Sequence, residues 1–231
     1  MTMNSPQVFE VTSPPNVVGR VNGDAILPCY VSSAKPLEDV EVRWEKIAGG
    51  KVETVLAQGK LGRNQAPRYL GRTSLPGDGF SSGNVSLRLK KVQPSDGGTY
   101  SCFVQARNQS AGASVVLRVS GTGAVVFEVL GPKGDDLQLA CQSEGWFPEP
   151  TVRWVTRSQE DLLAETTLWQ NSSQLFGVLS RVTVTRGQGE EVTCQVLNPL
   201  VRAEEMTVRL SSESRPPSRR VRRRFVALEA P

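Results

Sequence analysis

Asp96-Gly97-Gly98-Thr99-Tyr100-Ser101-Cys102 is the stretch on which the fold of this chain turns. It has the form D-x-G-x-Y-x-C, in which a tyrosine two residues before a cysteine ties its hydroxyl to backbone just upstream and closes the corner of an antiparallel β-sandwich. Tyr100, Cys102 and Val104 then point inward and Ser101, Phe103 and Gln105 outward, because successive strand residues face opposite ways. The arginine at position 72 is expected to pair with Asp96 across the bottom of the same sandwich.

Working back from Cys102, the preceding cysteine is Cys29, 73 residues earlier, with Trp44 fifteen residues after it. The pattern recurs downstream, where Cys141 and Cys194 stand 53 residues apart and Trp154 follows Cys141 by thirteen. Two cysteines on opposed sheets with a Trp on the strand between them are the framework of an immunoglobulin domain, so disulfides Cys29–Cys102 and Cys141–Cys194 are expected. None of the four forms a close C-x-x-C pair, which argues against zinc or redox chemistry. The second unit has Val192 where its corner tyrosine would stand.

Alternation extends the reading. Val40, Val42 and Trp44 share one strand face, and Glu41, Arg43 and Glu45 the other; Val85, Leu87 and Leu89 alternate with Asn84, Ser86 and Arg88. Leu137, Leu139 and Cys141 repeat the pattern, and Pro76-Gly77-Asp78-Gly79 is a turn signal. The longer first cysteine spacing leaves room for two extra strands, around Val52 to Ala57 and Arg68 to Leu70, as in a variable-type domain; the second unit is constant-type. The predicted class is all-β, two tandem immunoglobulin-like sandwiches. The expected division is a disordered or cloning-derived start at 1–6, the variable-type domain at 7–119, a linker at 120–123, the constant-type domain at 124–213 and a disordered Arg-rich tail at 214–231. Ser120-Gly121-Thr122-Gly123 offers no apolar anchor, so interdomain bending is expected unless Phe127 or Trp146 fixes the elbow.

Composition agrees with this division and removes other classes. The 231 residues suit two small domains, and 21 Gly with 15 Pro are too turn-rich for a helical bundle. With 0 His there is no Ser-His-Asp triad and no imidazole metal ligand, and no catalytic residues or cofactor are expected. The net charge of +4 comes from the tail, where residues 215–231 hold six Arg and one Glu, leaving the body at −1. No basic groove for nucleic acid is therefore expected. No run reaches the ~18 apolar residues of a membrane span, and the first residues lack a signal peptide's apolar core, so the expectation is a fragment whose targeting and anchoring segments lie outside it.

Val40-Glu41-Val42-Arg43-Trp44, Arg68-Tyr69-Leu70-Gly71-Arg72-Thr73 and Gly83-Asn84-Val85-Ser86-Leu87-Arg88-Leu89, with Pro94-Ser95 leading into the corner motif, resemble the variable domain of butyrophilins and myelin oligodendrocyte glycoprotein. Gly145-Trp146-Phe147-Pro148-Glu149-Pro150-Thr151-Val152-Arg153-Trp154 resembles the butyrophilin constant domain. The resemblance covers residues 7 to about 213 and implies a single-pass type I plasma-membrane protein, related to T-cell costimulatory ligands, whose ectodomain modulates T cells through a receptor on another cell. A weak homodimer is left open. Ala111-Gly112-Ala113-Ser114 replaces the Phe-Gly-x-Gly bulge of antibodies, which argues against antibody-style pairing.

Two binding surfaces follow. One is the outward face centred on Phe103, with Glu41, Arg43, Glu45, Gln105, Val116 and Arg118 around it. The other is the loop end, residues 31–39 and 107–113. Asn84, Asn108 and Asn171 open sequons for N-glycosylation, with Asn84 placed outward by alternation. Trp146 and Phe147 are expected to pack under the sandwich end, with a cis bond before Pro148. Glu190-Glu191 and Glu204-Glu205 point to opposite faces in pairs, unlike an acid/base site. The tail Arg215–Arg224 reads as a flexible stalk, with anionic glycan or lipid binding and a convertase site at Arg220-Val221-Arg222-Arg223 as alternatives. The competing function is adhesion, homophilic or heterophilic.

Overall fold

The computed structural model describes residues 9–34, 37–58, 65–77, 82–107, 109–134, 136–185, 191–201 and 204–209. The expectations for residues 1–6 and 214–231, for positions 35 and 36 of the 31–39 loop, for Asp78 and Gly79 of the turn signal, and for Asn108 and Glu190 lie outside the described residues.

The first sandwich contains β1 (Phe9–Thr12), β2 (Asn16–Arg20), β3 (Ala25–Leu27), β4 (Tyr30–Ser33), β5 (Val40–Ala48), β6 (Lys51–Gln58), β7 (Thr73–Ser74), β8 (Leu87–Leu89), β9 (Gly98–Ala106) and β10 (Gln109–Ser120). One sheet runs β2-β10-β9-β5-β6; the others are β3-β8-β7 and the pair β1-β4. The second sandwich contains β11 (Val126–Lys133), β12 (Asp136–Trp146), β13 (Thr151–Thr156), β14 (Asp161–Leu162), β15 (Ala164–Gln170), β16 (Phe176–Val184), β17 (Glu191–Leu197) and β18 (Glu204–Arg209). Its sheets run β11-β12-β16-β15 and β14-β13-β17-β18.

Inward positions fill two separate cores. Cys29 and Cys102 are bonded and lie with Trp44, Leu87 and Tyr100 in the first; Cys141 and Cys194 are bonded and lie with Trp146, Trp154 and Val192 in the second. Each framework Trp also satisfies its N–H, Trp44 to the Val85 carbonyl at 3.0 Å and Trp154 to Ser180 Oγ at 2.9 Å. The tyrosine corner is present, with the Tyr100 hydroxyl donating to the Asp96 carbonyl at 2.7 Å. Burial raises the Tyr100 phenol far above its ordinary range, so it remains a donor. Arg72 pairs with Asp96 as the motif predicts.

Two local expectations fail. Around Arg68 to Leu70 there is a 3₁₀ turn, residues Pro67–Tyr69, in place of a strand. Pro67 has no N–H to give a sheet ladder, and the N–H groups of Tyr69 and Leu70 bond back to the carbonyls of Ala66 and Pro67 at 2.9 and 3.2 Å. The turn drives the Tyr69 ring into the core, where it is 0% exposed. Alternation also breaks before β8: Ser86, expected outward, is buried because its Oγ accepts the Cys29 N–H at 3.1 Å and donates to Asn84 Oδ1 at 2.6 Å. Asn84 is consequently half-buried.

The junction is a clamp where a loose elbow was expected. Gly121 and Phe147 exchange backbone hydrogen bonds at 2.8 and 3.1 Å. Buried Asn198 donates through Nδ2 to both of their carbonyls, at 2.9 and 2.8 Å. Gly121 and Gly123 permit this close approach, since a side chain at either would collide with backbone of residues 144–147. Neither anchor considered from sequence supplies the fixation: Phe127 packs edge-on against Trp154 at 5.6 Å, and Trp146 sits within the second core. Phe147, whose peptide bond to Pro148 is cis, crosses the junction and packs against the first core. Asn198→Ala should therefore loosen the elbow, removing the second donor from two carbonyls that keep only each other's backbone N–H, at a cost of about 0.5–1.5 kcal/mol for each bond lost. Solution scattering is expected to fit one shape for the parent and to require an ensemble for the variant; identical profiles would refute the clamp.

Candidate functional site

The outward face of β5, β9 and β10 carries the residues singled out from sequence. Register places Arg43 opposite Phe103 and Phe103 opposite Gly112, so these three form one row across the sheet. Glu41 faces Gln105 in the next row, and Glu45 faces Ser101 in the row on the other side. Phe103 is 40% exposed. Its ring lies over Gly112, where an added Cβ would come within 3.1 Å of Phe103 Cδ1, and the Arg43 guanidinium carbon stands 5.5 Å from the ring centroid. Arg43 Nε lies 2.9 Å from Glu45 Oε1, too bent for a hydrogen bond, so that contact is an ion pair. The ring is thus held flat between a cation and a bare backbone, with little side-chain entropy left to lose on binding.

Val116, 37% exposed, and Arg118 lie further down β10, beside exposed Asn16 and Val18 of β2. Phe103 and Arg43 touch each other, whereas Val116 and Arg118 flank the row without joining it.

Sequence reasoning missed three parts of this face. Ile47, 50% exposed, continues the outward series of Glu41, Arg43 and Glu45 by one more period, so the same alternation reaches it. Val52, 60% exposed, is its cross-strand partner. The sequence signal for that pairing is Gly49-Gly50, whose positive φ angles of 56° and 75° make the two-residue hairpin turn. Gly112 carried no signal as a seat for an aromatic ring.

Beneath the face, Lys46 is 3% exposed, donates to the Ser95 carbonyl at 2.7 Å and lies 5.6 Å from the Tyr100 ring centroid. Burial, reinforced by the Arg68 charge, pulls its ammonium below the ordinary lysine range against the opposing pull of Asp96 and Glu53. It supports the framework and does not reach the outward surface. At the loop end Arg107 pairs with Glu38, both well exposed, which joins the two loops of the alternative site.

The fold defines a tandem immunoglobulin module whose first domain has a solvent-facing sheet surface around Phe103. Residues 12–120 match the model of the immunoglobulin V-set domain, and residues 123–206 match that of the "Butyrophilin subfamily 3 member A2-like, Ig-C domain". The chain is thus a butyrophilin-type member of the immunoglobulin superfamily, a V-set domain followed by an Ig-C domain. Butyrophilin-like protein 1 of Mus musculus is 32% identical over 201 residues, covering 85% of this chain and 40% of that protein. Selection and upkeep of intraepithelial T-cells protein 1 of Macaca fascicularis is 27% identical over 212 residues, covering 90% of this chain and 60% of that protein. The crystal structure of bovine butyrophilin superposes with a TM-score of 0.73 at 28% identity, covering 90% of this chain and 100% of that one. The chain spans about two fifths of the length of the butyrophilin-like relatives it matches. Among the described residues no helix is long and apolar enough to cross a membrane.

Proposed function

We propose that this protein is the extracellular part of a butyrophilin-like cell-surface protein that binds a protein receptor on a T cell and modulates the response of that cell. In this reading residues 7–119 make the contact and residues 124–213 support them. The observation that carries the proposal is the Phe103 ring, 40% exposed at the centre of a sheet face and held by Arg43 over Gly112. An immobilised aromatic with a paired arginine beside it is the residue chemistry in which interface energy concentrates. The name of the macaque relative, which refers to intraepithelial T cells, supports the cell type.

The test is a binding screen of the tagged ectodomain against T-cell surface proteins, followed by Phe103→Ala and Arg43→Glu. Either change should weaken binding by roughly thirtyfold or more, while stability shifts by about 0.5 kcal/mol or less. Retained binding by both variants, with loss on substituting Gln109, moves the site to the loop end. Unfolding of Phe103→Ala makes the ring structural. A second reading, homophilic adhesion, draws on the exposed Ile47 and Val52 at the hairpin of the same face. Sedimentation at micromolar concentration separates the two, since self-association supports adhesion and a monomer supports a heterotypic receptor.

A further inference from the structure

The second domain has an exposed tryptophan that lies outside the face around Phe103. Trp44, Trp146 and Trp154 are each at most 1% exposed and bond their N–H groups inside a core, whereas Trp169 is 37% exposed at the end of β15. It stands opposite Gly177 of β16, and a side chain at Gly177 would collide with the indole. The ring therefore lies flat on the outer surface of the sheet. Two residues on, just past the end of β15, is Asn171.

Asn171 opens the turn to β16. Its N–H bonds to the Leu175 carbonyl at 2.9 Å, the Gln174 N–H returns to the Asn171 carbonyl at 3.0 Å, and Gln174 takes the left-handed φ of 64°. Asn171 Oδ1 accepts the N–H groups of Ser173 and Leu175 at 2.9 and 3.0 Å. Both bonds use the oxygen and orient the amide while leaving Nδ2 outside them. Asn171, Ser172 and Ser173 are all exposed.

We propose that Trp169-Gln170-Asn171-Ser172-Ser173 is a single modification site: Asn171 carries an N-linked glycan, and the first sugar lies on the indole of Trp169. The donor is a polyprenyl-diphosphate-linked oligosaccharide of the secretory pathway. A bond forms between Nδ2 and the anomeric carbon of the first sugar, the bond from that carbon to the diphosphate oxygen breaks, and the amide proton passes to a base of the transferase. Ser173 supplies the hydroxyl of the acceptor sequence. The C–H face of a pyranose is weakly positive and the indole face negative, so the sugar finds a complementary platform where water would otherwise cover an apolar ring.

The other sequons differ. At Asn84 the required hydroxyl, that of Ser86, is buried and bonded to Asn84 Oδ1 itself, and Asn108 lies outside the described residues.

The experiment uses the full chain secreted from mammalian cells. Glycopeptide mass spectrometry should find Asn171 occupied in nearly every molecule. Enzymatic removal of the glycan should lower the melting temperature of the second domain by a few degrees when Trp169 is present, and leave it unchanged in Trp169→Ala, the comparison being made within each background. Nuclear magnetic resonance of the parent glycoprotein should show first-sugar protons shifted upfield by the indole ring current, a readout that does not depend on the variant folding. An unmodified Asn171, or first-sugar protons at their free-glycan positions, overturns the proposal. So does an equal loss of melting temperature in both backgrounds.

Discussion

Asp96→Ala should cost the first domain about 3–5 kcal/mol, the range for removing one partner of a buried ion pair. The Asp96 side chain is 1% exposed. It accepts a fork of hydrogen bonds from Arg72 and the backbone N–H of Gln93, the latter at 2.8 Å. Arg72 is 17% exposed and also holds the carbonyls of Arg68, Lys90 and Lys91 at 3.0–3.2 Å, so it cannot swing into water without releasing the turn that carries Tyr69. Lys46, buried nearby, would lose the carboxylate that helps its ammonium stay charged. The substitution thus strands two cations and one N–H together, which places the effect above that of any surface change. Differential scanning calorimetry of the whole chain should show the first domain's transition falling steeply while that of the second stays near its parent value. A loss below about 1 kcal/mol would show that the pair is dispensable.

Removing either disulfide by paired Cys→Ala substitution should cost about 4 kcal/mol, the entropy of loops of this size in the chain-entropy model. The loops close over 73 and 53 residues, and since the dependence on length is logarithmic the two bridges are expected to be nearly equal in effect. Each bond also packs in a core with its Trp, so deletion adds a cavity that the two sheets cannot close without moving together. A reductant should lower both melting transitions. Peptide mapping without reduction should recover Cys29 linked to Cys102 and Cys141 linked to Cys194; a Cys102–Cys141 linkage would contradict the arrangement of two independent cores.

Much of the first domain was legible because its signals are short-range and repetitive. The spacing of Tyr100 from Cys102 is a local requirement of the corner, and the period-two alternation through Val42, Trp44, Cys102 and Val104 assigns faces without reference to any distant residue. That is why Phe103 and Arg43 could be placed outward before the sheet was seen. Alternation gave the wrong answer at Ser86, where the backbone N–H of Cys29 captured the hydroxyl, and the strand that the cysteine spacing suggested around Arg68 to Leu70 is a 3₁₀ turn beginning at Pro67. In both cases a hydrogen bond outweighed a weak local preference.

By itself, then, the sequence determined two sandwiches, their disulfide partners and which side of each strand is dry, because cysteine spacing and strand period are properties of a single segment. Tertiary structure decided what each outward or junction residue meets. Gly112 became the seat of Phe103, Gly177 that of Trp169, and Asn198 the latch on Gly121 and Phe147, 77 and 51 residues away. A glycine under a ring, or an amide that bridges two distant carbonyls, leaves no periodic trace in its own segment. Such contacts depend on the register and docking of separate strands, which are settled by the packing of the whole chain.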